Sequence, residues 1–116
     1  MSQAITLLVY PVKDIAQAKT LYSKFLGVEP YVDSAYYVGF RIGDQEIGLD
    51  SNGHSKGMTG PIGYRQVDDI QKSLQALLDA GAQTQQEVTN VGGGRLIAWV
   101  KDADNNLIVL MQDSAQ

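Results

Sequence analysis

The sequence repeats one set of helix signals at a fixed spacing, and this repeat constrains the fold more than any other feature. A stripe of apolar residues with helical period follows Asp14, and a second stripe follows Asp69. The two aspartates lie 55 residues apart, and the glycines that end the two stripes, Gly27 and Gly81, lie 54 residues apart. We therefore predict helices over residues 14–26 and 69–80, at equivalent places in two halves of the chain.

Short strand patterns surround both predicted helices. One β-prone run precedes each helix and three follow it, and the last two runs of each half are separated by turn-forming residues. We therefore predict an α+β fold in which each half of the chain contains, in order, one strand, one helix and three strands. The βαβββ modules cover approximately residues 1–51 and 60–116, and a Gly- and Ser-rich linker, residues 52–59, joins them. Neither module is expected to be stable alone, so we predict a single domain.

Composition excludes several classes of protein. The 116 residues contain no Cys, which excludes a disulfide scaffold, a thiolate metal site and a Cys nucleophile. The net charge is −4 and the basic residues are scattered, so we expect no nucleic-acid partner. No apolar run approaches the roughly 20 residues of a membrane helix, and the chain opens without a basic segment typical of a secretion signal. We expect a cytoplasmic protein with no membrane partner.

The order of these segments resembles a known family. The glycine-ended first helix, the start of the second helix and the final hairpin together resemble the vicinal oxygen chelate superfamily, and the likeness covers nearly the whole chain. This superfamily holds glyoxalase I, extradiol dioxygenases, fosfomycin-resistance enzymes and bleomycin-binding resistance proteins. The turn over residues 102–106 looks like the family's aspartate-proline-aspartate-glycine-asparagine turn, with Ala103 in place of the proline and Asn105 in place of the glycine. The matching segments are residues 12–15, 21–28, 67–70 and 99–110.

The resemblance implies a fold and an assembly. Family members pair two βαβββ modules whose curved mixed sheets enclose a shared cavity, with the helices outside. Many of them form dimers, so we expect a homodimer. Because this scaffold hosts both metal enzymes and metal-free binding proteins, the fold alone does not assign a chemistry.

The resemblance also locates the positions that hold a metal ion in metal-dependent relatives. Those relatives place a His on the first strand of each module and a Glu before a leucine on each last strand. Here the corresponding positions hold Leu7, Ile62, Gly48 and Val109. The only His in the chain, His54, lies in the linker, where we expect it to be exposed. We expect no metal and no other cofactor, because imidazole and carboxylate ligands are missing.

Strand alternation then predicts which side chains face the cavity. A turn at Gly43 and Asp44 places Tyr37, Gly39 and Arg41 opposite Asp50, Gly48 and Glu46, on the same face as the ligand position Gly48. In the second module the alternation of side chains is counted from the ligand position Val109. The side chains predicted to share its face are aromatic and apolar. The predicted ligand-binding residues are Tyr37, Arg41, Glu46, Asp50, Tyr64, Trp99, Val109 and Met111.

Each candidate also has a purely structural interpretation. Trp99 and Met111 are typical of core packing. Arg41 and Glu46 are also consistent with a simple cross-strand ion pair, which contributes less than about 1 kcal/mol when exposed. Glu46 and Asp50 are equally typical of solvated strand-edge residues.

Three functions remain open at this point. The first is a metal-free small-molecule binding protein that sequesters an aromatic or cationic compound, with Trp99 and Tyr37 stacking on it and the carboxylates of Glu46 and Asp50 attracting a cation. The second is a diverged lyase, isomerase or dioxygenase-like enzyme that uses Glu46 or Asp50 as general base, with Arg41 stabilising an enolate. The third is an accessory or regulatory module whose cavity has collapsed. The expected partner is a small organic molecule in the first two cases.

Overall fold

The computed structural model describes residues 4–113, which contain two α-helices, eight strands and one short 3-10 helix. This element order confirms the α+β prediction of strand, helix and three strands, repeated once. In chain order the elements are β1 (Ile5–Pro11), α1 (Ile15–Leu26), β2 (Val32–Asp33), β3 (Tyr37–Ile42), β4 (Gln45–Asp50), the 3-10 helix (His54–Lys56), β5 (Ile62–Gln66), α2 (Ile70–Asp79), β6 (Gln83–Asn90), β7 (Leu96–Lys101) and β8 (Leu107–Gln112).

The chain divides into two compact units. The first unit comprises residues 6–62, and the second is built on the residues from Gly63 onward. The boundary therefore falls after the predicted linker, and residues 52–59 belong to the first unit. Neither helix of the described segment is long and apolar enough to cross a membrane.

In the first unit, α1 covers one face of a sheet with strand order β2-β3-β4-β1. Strand β1 runs parallel to β4, whereas β3 is antiparallel to both β2 and β4. The Asp14 carboxylate accepts a hydrogen bond from the Gln17 backbone N–H at 3.0 Å, and Gly27 ends the helix with a φ of 74°. The apolar side chains under the helix come from alternate positions of the hairpin, namely Val38, Phe40, Ile47 and Leu49.

The β3–β4 hairpin has the predicted register. Gly43 adopts a φ of 58° in the turn, and Arg41 pairs with Glu46, Gly39 with Gly48 and Tyr37 with Asp50. Because side chains alternate along a strand, these residues lie on the face of the sheet away from α1. We call this surface, formed by Tyr37, Gly39, Arg41, Glu46, Gly48 and Asp50, the glycine face.

The second unit repeats the arrangement, with strand order β5-β8-β7-β6 and α2 packed on one side. Asp69 caps α2 by accepting from the Lys72 backbone N–H at 3.1 Å. The helix ends at Asp79, one residue before the predicted end. Its buried residues Ile70 and Leu74 pack in an apolar cluster with β7 and β8 side chains. The β7–β8 hairpin pairs Trp99 with Val109.

Two segments differ from their predictions. The first of the three β-prone runs that follow α1, residues 28–33, forms only the two-residue strand β2, because Pro30 lacks a backbone N–H to donate to a sheet ladder. The predicted linker is folded, since it contains the 3-10 helix and the side chain of Met58 is buried. Its Gly- and Ser-rich composition is therefore that of a tight loop and not of a flexible tether.

Candidate functional site

Two aromatic rings cover the glycine face. A Cβ atom built on Gly48 would overlap the hydroxyl group of Tyr37 and lie 2.6 Å from its Cζ atom. A Cβ on Gly39 would lie 3.3 Å from Cε1 of Tyr31. The two glycines pair with each other across the hairpin, so the space left by their missing side chains is occupied by the Tyr31 and Tyr37 rings.

Tyr31 also links Arg41 and Glu46, two of the three charged residues of this face. Its hydroxyl donates a hydrogen bond to Oε1 of Glu46 at 2.5 Å, and the Arg41 guanidinium lies over its ring, 4.1 Å from the centroid. The Arg41 Nη2 and Glu46 Oε2 atoms are 4.0 Å apart. A single tyrosine thus holds a cation on its ring and an anion on its hydroxyl.

The protonation state of Tyr31 follows from these contacts. Burial raises the pKa of Tyr31 above its ordinary value of 10.0, and the hydrogen bond to Glu46 and the negative charge of Glu46 raise it further, against the opposite effect of Arg41. The phenol therefore stays protonated at neutral pH. At neutral pH it therefore donates a hydrogen bond to Glu46.

Sequence reasoning missed Tyr31. The residue lies between α1 and the short strand β2, where no periodicity indicates a facing direction. The available signal was the pair Gly39 and Gly48, because two glycines that face each other across a hairpin leave room for large side chains from elsewhere. The Tyr31 backbone N–H donates to the Gly39 carbonyl at 2.9 Å, which places the ring over this pair.

The Asp50 carboxylate is bonded to the loop that follows β4 and is not open to a ligand. Its side chain is buried, and its two carboxylate oxygens accept from the Asn52 backbone N–H and from Nζ of Lys56, each at 2.8 Å. Both contacts lie in the 52–58 loop, so Asp50 clamps this loop onto the end of β4. The positive charge of Lys56 thereby balances the negative charge of the Asp50 carboxylate.

The four predicted residues of the second unit lie together on its sheet. Val109 pairs with Tyr64 on one side and with Trp99 on the other, and Met111 pairs with Ile97. The Tyr64 and Trp99 rings meet edge to face, with centroids 6.4 Å apart and an interplanar angle of 77°. Trp99 is only 4% exposed, so its structural interpretation, core packing, fits better than an accessible stacking platform.

The residues at the expected ligand positions do not fit a metal ion. Leu7 and Val109 are buried apolar side chains, Ile62 is apolar, and the space at Gly48 is filled by Tyr37. Within residues 4–113 no group of three His, Asp or Glu side chains is arranged to hold a metal. His54 is exposed, as predicted.

A surface groove of about 750 Å³ runs along α1, on the opposite side of the sheet from the glycine face. It is open to solvent, and none of the predicted ligand-binding residues lines it. Its walls come from α1 and the segment before it, including Val12, Lys13, Asp14, Gln17, Leu21 and Tyr22.

Comparison with known proteins identifies one family. Residues 4–110 match the model of the Glyoxalase/Bleomycin resistance protein/Dioxygenase superfamily. A search of curated proteins finds no significant match.

Several solved structures share the fold at low sequence identity. A glyoxalase/bleomycin resistance protein/dioxygenase superfamily member from Vibrio splendidus 12B01 has a TM-score of 0.71 at 16% identity, covering 92% of this chain and 97% of that chain. A methylmalonyl-CoA epimerase from Mycobacterium tuberculosis has a TM-score of 0.69 at 16% identity, with coverages of 99% and 93%. A Mn(II)-bound glyoxalase from Novosphingobium aromaticivorans has a TM-score of 0.70 at 21% identity, where 97% of this chain covers 40% of that chain. These likenesses show the fold alone.

Proposed function

Because the chain belongs to the Glyoxalase/Bleomycin resistance protein/Dioxygenase superfamily, we propose that it binds a small organic molecule without a metal ion or other cofactor. One observation carries the metal-free part of the proposal: the Tyr37 phenol fills the space at Gly48, where the family resemblance places a carboxylate ligand. A side chain at position 48 and the Tyr37 ring exclude each other. The first unit therefore presents aromatic rings where a metal-dependent relative presents a ligand.

We place the binding surface on the glycine face. Tyr31 is 46% exposed and Tyr37 is partly buried, so both rings are held by the protein and remain accessible to an aromatic ligand. Binding of this kind sequesters a compound and needs no reaction.

The charges of this face argue against the cationic ligand that the sequence suggested. Asp50 is paired with Lys56, and Glu46 is paired with Arg41 and accepts from Tyr31. Neither carboxylate is left to provide a net negative field for a cation. We therefore retain the aromatic part of the prediction and not the cationic part.

An enzymatic function is the second candidate, and the closeness of the Glu46 carboxylate to the Arg41 guanidinium favours it. A carboxylate held by a phenol beside an arginine has the components of a general base and an enolate-stabilising group for a lyase or isomerase. Glu46 is the candidate base, because Asp50 is occupied by the loop. Turnover on candidate substrates that is lost in Glu46→Gln would favour this function over simple binding.

Two further parts of the proposal concern the assembly and the location of the protein. We propose that the protein is a homodimer and that it works in the cytoplasm. Light scattering over a range of concentrations tests the first part, and a monomer at every concentration contradicts it. Cell fractionation tests the second.

The binding function is tested by ligand-observed NMR against a panel of small aromatic compounds. Tyr37→Leu is expected to abolish binding, because it removes the ring over Gly48. The adjacent Tyr36 is exposed and directly precedes β3, so Tyr36→Leu is the matched control and should bind like the wild type. A panel in which no compound binds, or in which binding survives Tyr37→Leu, contradicts the proposal.

The metal-free part has its own measurement. Protein purified without a His tag should contain no stoichiometric Ni, Zn, Fe or Mn in elemental analysis. One metal per chain would show that ligands other than those at the family positions form a site.

A further inference from the structure

We propose that Arg41 and Glu46 together recognise a neutral polar group in which a hydrogen-bond acceptor lies beside a donor, as in a carboxamide or a lactam. The inference rests on the proposed binding function and names the class of ligand. It follows from three properties of the pair: both side chains are accessible, both are held in place, and their charges cancel.

The Arg41 and Glu46 side chains are accessible to solvent and are nevertheless held in place by Tyr31. The Arg41 side chain is 57% exposed and that of Glu46 is 30% exposed. Long exposed side chains normally lose rotamer entropy when they bind a ligand. In this case Tyr31 holds Arg41 by ring stacking and Glu46 by a hydrogen bond, so part of that entropy is lost on folding, before a ligand arrives.

The spacing of the pair leaves hydrogen-bonding capacity unused. Arg41 Nη2 and Glu46 Oε2 are 4.0 Å apart, which is beyond hydrogen-bond distance. A guanidinium has five N–H donors and an ionised carboxylate has several acceptor sites. The face thus presents a donor set and an acceptor side by side, and a ligand with the complementary order satisfies both.

Charge decides which ligands fit. An anion bound to Arg41 would lie close to the Glu46 carboxylate, and a cation bound to Glu46 would lie close to the Arg41 guanidinium. Either charged ligand gains one attraction and suffers one repulsion. A neutral carboxamide donates to Glu46 and accepts from Arg41 without a like-charge contact, so the pair discriminates against charge.

Three compounds of nearly the same shape test this inference. Benzamide, benzoate and benzamidinium share a phenyl ring and a planar head group but carry charges of zero, minus one and plus one. We expect the wild-type protein to bind benzamide at least about fivefold more tightly than either charged compound, measured by NMR titration.

Two variants are expected to change the order in opposite directions. Glu46→Gln removes the negative charge and should make benzoate the best ligand, whereas Arg41→Gln should make benzamidinium the best. Asp113→Asn is the matched control, because it removes the acid of the Arg95–Asp113 ion pair in the second unit and should leave the order unchanged. Thermal unfolding verifies that each variant is folded, and the exposed Arg41 variant carries the test if Glu46→Gln does not fold.

The outcomes separate this inference from the binding function. A wild-type preference for a charged compound, or an order that neither variant changes, overturns the inference. If other aromatic compounds bind in a Tyr37-dependent way but benzamide does not, the inference fails and the binding function stands. If no compound binds, both fail.

Discussion

The close fit of Tyr37 over Gly48 gives a quantitative prediction for Gly48→Ala. The added Cβ would overlap the Tyr37 hydroxyl and lie 2.6 Å from Cζ and 2.9 Å from Cε1, so the ring must move away. Overpacking of this kind costs about 1–3 kcal/mol. Replacing a strand glycine by alanine returns about 0.5–1 kcal/mol of backbone entropy. Taking the middle of each range, we therefore expect a net loss of about 1 kcal/mol in the free energy of unfolding.

A double-mutant cycle isolates the contact. In a Tyr37→Ala background the same Gly48→Ala change should be neutral or stabilising, because the ring is gone and only the strand term remains. Gly39→Ala is the matched control, since its Cβ would lie 3.3 Å from Tyr31 and needs only a small shift of that ring. Urea denaturation measures all four proteins of the cycle. A Gly48→Ala protein as stable as the wild type, or an equal cost in both backgrounds, would refute the assigned contact.

Three further predictions concern the remaining contacts. Asp50→Asn should lower the free energy of unfolding by about 1–3 kcal/mol, because it weakens the bonds of a buried carboxylate to the loop, whereas Asp33→Asn, in an exposed ion pair, should cost under about 1 kcal/mol. Urea denaturation compares the two variants, and equal costs would contradict the role of Asp50 in holding the loop. Trp99→Phe should fold and Trp99→Ala should lose about 3–5 kcal/mol, and the wild-type indole emission should resist iodide quenching; strong quenching would place Trp99 at an accessible surface. Because the pKa of Tyr31 is raised in the folded state, its protonated form contributes stability that is present below pH 10 and is lost as the pH rises through the folded pKa. The free energy of unfolding, measured against pH, should therefore fall less at alkaline pH in Tyr31→Phe than in the wild type.

The helices and the hairpin register were predictable from sequence because they depend on local signals. Asp14 and Gly27 mark the two ends of α1 through backbone capping, which involves only residues three or four positions away. The register of β3 and β4 follows from the Gly43 turn and from the requirement that one face be apolar, since a shift by one residue would turn Val38 and Phe40 away from α1.

The contacts of the candidate site depend on tertiary placement, and the sequence carries little signal for them. Tyr31 reaches Glu46 from fifteen residues away in a segment without periodicity. The Asp50–Lys56 bond involves a stretch whose Gly and Ser content is typical of a linker, yet this stretch is folded and the buried Asp50 carboxylate binds it at two points. Strand alternation indicated that Trp99 shares a face with Val109, with which it pairs, but gave no information on how deeply Trp99 is buried.

Gly48 and Gly39 leave the space that the aromatic rings occupy, and Gly48 stands where the family resemblance places a metal ligand. A carboxylate side chain at position 48 requires the space that Tyr37 occupies, so the first unit presents either a ligand or this ring at that point of the sheet. The same reasoning applies to Gly39 and Tyr31, although the contact is looser. Because Tyr31 in turn holds Arg41 and Glu46, any residue that displaced its ring would also release the charged pair. Ring packing and the placement of the charged pair on this face are therefore one arrangement, and under the proposed function a change at Gly48 is expected to alter ligand binding as well as stability.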